Sequence, residues 1–211
     1  MERKLTTILA ADVVGYSRLM AHDEAIVLEL LKERRALIDD TILEHDGSVF
    51  GSAGDSVIAQ FDSPVNAVES AIKFQSKIHA LNEVQTAYSN MEFRVGVNIG
   101  DVMVSDNNLF GDAVNIAARL EAASRPEGIC LSQSVVEMIT GKLKISFEDA
   151  GQLQLKNIDR PVAAYFVIPS KGALRFVQHS ETPKVVIAEA EPGSMAVMLF
   201  KSLSKDEEQE Y

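Results

Sequence analysis

The apolar positions of the chain fall into two periods. Over residues 5–14 they run nearly unbroken, with β-branched Thr6, Thr7 and Ile8, and predict a buried strand ending in Asp12-Val13-Val14-Gly15. Over residues 24–44 the period lengthens to that of a helix. Ile26, Val27, Leu30, Leu31, Leu37, Ile38 and Ile42 form its apolar face, and His45-Asp46-Gly47 ends it with glycine in the C-terminal stop. Residues 48–52 and 56–61 are short strand-like runs around Ala53-Gly54-Asp55, a hairpin signal. Pro64, placed where a first helical turn tolerates it, opens a second helix to about residue 84 with Ala67, Ala71, Phe74, Ile78 and Leu81 on one face.

Over residues 91–105, Phe93, Val95, Val97 and Ile99 alternate with polar positions and are followed by Val102 and Val104. This predicts a strand, a bend at Gly100-Asp101 and a second strand. Residues 109–121 read as a glycine turn opening into a helix that Val114, Ala117, Ala118 and Leu120 seat on the core. A strand over 129–132, a short helix over 135–139 and strands over 147–155 and 163–168 complete the pattern. Strands and helices alternate without a strict βαβ rhythm, and the hairpins disfavour a purely parallel sheet. The expected class is an α+β fold, or α/β sandwich, with helices on a mixed, mostly antiparallel sheet. After Pro169 the periodicity stops, so residues 169–191 read as a linker. Residues 192–211 form a tail with a strand-like run at 194–203 and the acidic stretch Asp206-Glu207-Glu208-Gln209-Glu210.

Composition narrows the chemistry. A length of 211 residues suits one domain with an appendage, or two small domains. The net charge of -11 and pI near 4.8 argue against a nucleic-acid partner. An acidic protein that takes a phosphorylated small molecule needs local cations or divalent metal. The single cysteine, Cys130, excludes an internal disulfide and a cysteine-rich zinc site, and its place in Ile129-Cys130-Leu131 predicts a buried strand residue. No leader and no apolar run of roughly 18 residues is visible, so no membrane segment is expected in this chain and the expected location is cytoplasmic.

Four side chains stand out against this background. Asn115 and Arg119 are four apart on one helical face near a helix start, which suits a phosphate or sugar phosphate as well as an ordinary surface. Asp12 ends a buried strand and Asp55 turns a hairpin. Each alone reads as a turn carboxylate; together at adjacent strand ends they would make an oxygen-rich site for Mg²⁺ or Mn²⁺.

The stretches Ala10-Ala11-Asp12-Val13-Val14-Gly15-Tyr16-Ser17, Gly54-Asp55, Phe110-Gly111-Asp112-Ala113-Val114-Asn115 and Asn115-x-x-x-Arg119-Leu120 resemble the motifs of class III nucleotide cyclases. They occur in the family's order across residues 3–168. The resemblance implies a ferredoxin-like cyclase fold, a catalytic domain over 1–168, and a homodimer whose sites draw on both subunits. It implies that Asp12 and Asp55 hold two metal ions, that Asn115 orients the ribose and that Arg119 stabilises the transition-state phosphate. Lys156 resembles the lysine that contacts the terminal phosphates, and reads equally as a solvated loop lysine. The implied reaction is attack of the ribose 3′-hydroxyl on the α-phosphorus of ATP, giving cyclic AMP and pyrophosphate. The chain departs from the family at the base-reading pair, where a lysine and an aspartate give way to Gly51 and Asn108; the guanine-reading pair is absent as well. A substrate of GTP, a nucleotide-binding regulatory domain with little turnover, and a dimerisation module therefore stand as alternatives. Asp101 adds a negative charge where some members carry a basic residue. Residues 195–204 and the acidic run after them resemble the opening of a TolB-like module, of the kind that precedes tetratricopeptide repeats, and read equally as an acidic tail.

Overall fold

The computed structural model describes residues 2–50, 54–84, 90–105 and 108–168. The predicted linker, the strand-like run at 194–203, the TolB-like tail and Gly51 lie outside the described residues. The elements are β1 (Glu2–Val13), α1 (Tyr16–Met20), α2 (Glu24–Glu44), β2 (Gly47–Val49), β3 (Val57–Phe61), α3 (Pro64–Val84), β4 (Phe93–Ser105), β5 (Asn108–Phe110), α4 (Asp112–Ala123), β6 (Ile129–Ser132), α5 (Gln133–Ile139), β7 (Ser146–Leu153) and β8 (Val162–Ile168). The strands form one mixed sheet in the order β2-β3-β1-β4-β6-β8-β7, with β5 paired to β4. The β4–β6 pairing is parallel and the others described are antiparallel, which is the expected class.

The N-terminal strand lies inside the sheet, with β3 on one side and β4 on the other, Leu9 facing both Ala59 and Val97. Its period of two sends alternate residues to different layers. Leu9, Ala11 and Val13 join Phe93, Val95 and Val97 of β4 in the larger core, against Ile38 and Ile42 of α2, Phe74 and Ile78 of α3, and Val135 and Ile139 of α5. Burying each of the larger of these side chains contributes about 1.5–3 kcal/mol. Ile8, Ala10 and Val102 face the other way and pack on Ala113 and Ala117 of α4. On this second face the helix that carries Asn115 and Arg119 meets the strand that carries Asp12.

The predicted bend at Gly100-Asp101 is absent. β4 runs unbroken because β1 pairs with it from Val13↔Phe93 to Glu2↔Val104, so the glycine is held in extended backbone. Asp46, not Gly47, takes the left-handed conformation after α2 (φ 58). Gly47 begins β2 instead, where a Cβ would run into the rings and methyls of Phe61 and Ile42. Ile26 is half-exposed rather than core, and α2 seats through Val27, Ile38 and Ile42. For α4 the fully seated residues are Ala113, Ile116, Ala117 and Leu120, while Val114 and Ala118 are only partly buried. The short helix α1 and the strand β5 have no counterpart in the periodicity.

Candidate active site

Register brings the two aspartates together. Val57 of β3 pairs with Ala11 of β1, so the chain just before Val57 lies beside the chain just after Ala11. Gly54 turns the β2–β3 hairpin in the left-handed conformation (φ 66) and delivers Asp55 to that spot. Protonated Asp12 donates a hydrogen bond to Asp55, and the Asp55 charge repels Asp12 once it ionises. Burial first, then the charge and hydrogen bond of Asp55, push the Asp12 carboxyl up to about 6; Arg94 and the Val13 backbone pull against them.

Arg94, at the start of β4, is directly opposite Asp12 in the register. Its Nη2 lies 3.9 Å from Asp12 Oδ2, its Nε lies 3.1 Å from Glu121 Oε1, and its Nη1 donates to the Ala122 carbonyl at 3.4 Å. Glu121, in the last turn of α4, is only 8% exposed. Burial pushes its carboxyl up to about 7, with Asp12 and Asp55 adding to the rise and Arg94 opposing it. The contact between strand and helix is close because of Gly96. A Cβ there would collide with the Ala117 carbonyl and the Glu121 backbone. Neither Arg94 nor Glu121 was singled out as a site residue from sequence. The available signal was Glu121 standing four residues after Ala117, a carboxylate on the seated stripe of its helix.

Asn115 is exposed and Arg119 partly so. At roughly 100° per residue, Arg119 projects from the side of α4 nearly opposite Glu121. Neither side chain makes a hydrogen bond or ion pair among the described residues, and neither is in such contact with Asp12 or Asp55. Lys156 is exposed in the β7–β8 connection, beside Leu155, which is buried against Ile116 and Leu120 and ties that connection to α4. Asn108 is exposed at the start of β5, opposite Ser105. Asp101 is exposed and, by alternation along β4, leaves the face opposite to Arg94. Cys130 is buried, as expected, with its thiol pushed up to about 12 by burial.

The donor set at Asp12 and Asp55 fits a hard divalent cation. Two carboxylates at hydrogen-bond range, one of them raised by burial and by its neighbour, are relieved by a bound cation. No cluster of three or more candidate ligands exists among the described residues, in keeping with the habit of Mg²⁺ to take one or two carboxylates and fill its shell with water and phosphate oxygens. A cleft of about 700 Å³ lies elsewhere, at the far end of β4, lined by Asn98, Asp101, Gly111, Asp112, Ser132 and Arg160 among others; it includes neither aspartate, nor Asn115, nor Arg119. No helix among the described residues is long and apolar enough to cross a membrane.

Comparison with known proteins gives a consistent picture. The model for the Adenylate and Guanylate cyclase catalytic domain matches residues 2–169. A Rhizobium meliloti protein named putative adenylate cyclase 3 is 41% identical over all of this chain and 36% of its own length. Adenylate cyclase 1 of the same organism is 25% identical over 85% of this chain and 29% of its own length. The chain thus spans about a third of the length of these curated relatives. Among solved structures, the adenylate/guanylate cyclase/hydrolase of Silicibacter pomeroyi superposes with a TM-score of 0.75 at 40% identity, covering 80% of this chain and 99% of that one. The adenylyl cyclase CyaB of P. aeruginosa does so with a TM-score of 0.71 at 26% identity, over 82% and 98%.

Proposed function

The chain belongs to the adenylate and guanylate cyclase catalytic domain family, and on that premise we propose that it converts ATP to 3′,5′-cyclic AMP and pyrophosphate at sites shared by two copies of itself. The observation that carries the shared site is the orientation of α4. It turns Glu121 toward its own Asp12 through Arg94, and turns Asn115 and Arg119 outward. Donors that face away from their own carboxylates complete a site only when a second copy supplies the other half.

In this reading Asp12 and Asp55 of one copy hold two divalent ions, Mg²⁺ or Mn²⁺. When bound, such ions lower the pKa of the ribose 3′-hydroxyl and neutralise the triphosphate. Asn115 of the other copy hydrogen-bonds the ribose and holds the 3′-oxygen in line with the α-phosphorus. Arg119 presents its planar fork to the phosphate oxygens as charge builds there, the kind of donor whose loss costs about 2.7–4 kcal/mol of transition-state stabilisation. Lys156 meets the terminal phosphates, the leaving group, as a mobile point charge.

Asn108 and Gly51 mark the base pocket. An asparagine side chain both donates and accepts, so Asn108 can pair with either purine, and Gly51 offers no side-chain donor. That pair favours two other readings, a cyclase that also takes GTP and a regulatory domain that binds nucleotide with little turnover. Purified protein given ATP and GTP in parallel with Mn²⁺ separates them. Cyclic AMP from ATP is the expected result. Nucleotide binding with no cyclic product from either base rejects the catalytic reading in favour of the regulatory one, and no metal-dependent nucleotide binding leaves only a dimerisation module.

A further inference from the structure

Arg94 stands between two carboxylates and is not shared evenly. Its Nε lies 3.1 Å from Glu121 Oε1, and its Nη1 reaches the Ala122 carbonyl at 3.4 Å, whereas Nη2 stops 3.9 Å from Asp12 Oδ2. Both nearer contacts belong to the last turn of α4, where the helix dipole also favours a cation. The guanidinium is therefore drawn to the helix on one side, by an ion pair whose Nε and Oε1 are not aligned as a hydrogen bond and by the Ala122 carbonyl, and only approached by Asp12 on the other. Glu121 is otherwise hard to explain. It is buried on the stripe that seats α4, next to Leu120 and four residues after Ala117, where an apolar side chain would seat the helix at no desolvation cost.

We propose that Glu121 is a positioning residue that holds Arg94 on α4 and so keeps the guanidinium from closing on Asp12, leaving that carboxylate open to its cation. The inference rests on the reading that Asp12 and Asp55 hold the divalent ions. An arginine free to form a bidentate pair with Asp12 would occupy the same oxygens and cancel the same charge that the ion uses. Held at its observed distance it still tempers the repulsion between Asp12 and Asp55. Gly96 belongs to the same device, since it lets β4 lie close enough to α4 for Arg94 to reach Glu121.

The proposal predicts opposite signs for two neighbouring substitutions, which damage to the fold does not. Mn²⁺ binding to the whole chain is read from the electron paramagnetic resonance signal of the free ion, without turnover. Glu121→Gln releases Arg94 onto Asp12 and is expected to weaken Mn²⁺ binding about tenfold. Arg94→Gln removes the competing cation and is expected to tighten it about threefold. The double variant should bind within about threefold of Arg94→Gln. Wild-type affinity in Glu121→Gln, or a weakening that persists in the double variant, overturns the proposal. If Glu121→Gln does not fold, as judged by its thermal transition, Arg94→Gln decides alone, and unchanged or weaker binding overturns it. Asp12→Ala is measured in parallel. If it binds Mn²⁺ as the wild type does, the assignment of the metal site fails, an outcome distinct from failure of the Glu121 role.

Discussion

The two halves of the site are built on opposite plans. Asp12, Asp55, Arg94 and Glu121 come from β1, the β2–β3 turn, β4 and α4 and are partly or largely buried, each touching another of the set. Asn115, Arg119 and Lys156 stand on one helix and an adjoining connection, Asn115 and Lys156 exposed and Arg119 partly so, without hydrogen-bond or ion-pair partners among the described residues. The first half is held by its own fold and carries an electrostatic load that the fold does not discharge. The second half is uncommitted. The difference teaches where each kind of precision comes from. The carboxylates owe theirs to register and packing, whereas the donors acquire theirs from whatever they face, which in the proposed dimer is the carboxylate half of another copy.

The comparison breaks most decisively if both halves prove to act within one chain. Asp12→Ala and Arg119→Ala are each expected to lower cyclic AMP formation by at least about a hundredfold. Mixed in equal amounts and allowed to exchange subunits, they should recover about a quarter of wild-type activity, because half the dimers are mixed and each has one intact site. No recovery despite demonstrated exchange would place each site within a single copy.

The next effect falls on the buried half alone. Gly96→Ala forces a methyl into the backbone of α4 at Ala117 and Glu121, and should destabilise the fold by about 1–3 kcal/mol or more in denaturant titration. A substitution in the exposed half, Arg119→Ala, should leave the unfolding midpoint within about 0.5 kcal/mol of the wild type. Equal losses at the two positions would dissolve the distinction between a packed half and an uncommitted one.

A pH titration sharpens it further. The ordinary carboxyl values of 3.8 and 4.5 rise to about 6 for Asp12 and about 7 for Glu121 in the folded protein. Between the ordinary and raised values the folded state binds more protons than the unfolded one, so stability of the metal-free protein falls as pH rises through that window. Asp12→Asn removes the Asp12 share. Its thermal midpoint in chelator should gain on the wild type at about pH 8 and show little gain at about pH 4. A difference independent of pH would mean that the carboxyl is not strained by its surroundings. The smallest effect is expected at Lys156→Ala, a few-fold rise in KM for ATP with no change in melting.

Much of this arrangement is legible in the chain before any coordinates. The helices α2 and α3 announce themselves because an apolar stripe repeats over many turns, and β1 because its run is nearly all apolar. What is missed is either too short to show a period or decided by a distant neighbour. α1 is five residues with none buried, so nothing in Tyr16–Met20 betrays it. Gly100 looks like a break, yet the cross-strand bonds of β1 carry β4 straight through it. At the site, the family resemblance pointed to Asp12, Asp55, Asn115 and Arg119 and implied a role for each. It did not supply Arg94 and Glu121, since an arginine in a strand's polar positions and a glutamate at a helix end look like solvent-facing charges until strand and helix are laid together.

One feature of the sheet bears on how the protein comes into being. β1 is made before both of its sheet neighbours, β3 and β4, yet it occupies the interior position between them, and its pairing with β4 spans Glu2↔Val104 to Val13↔Phe93. At translation rates of about 5–20 residues per second, the far neighbour follows the first strand by roughly 5–20 seconds. Through that interval an apolar strand waits on the ribosome with one edge open, the kind of surface that recruits chaperones or other nascent chains. Asp12 rides at the end of that strand, so the carboxylate half, the more buried one in the finished protein, is among the last to be locked in place.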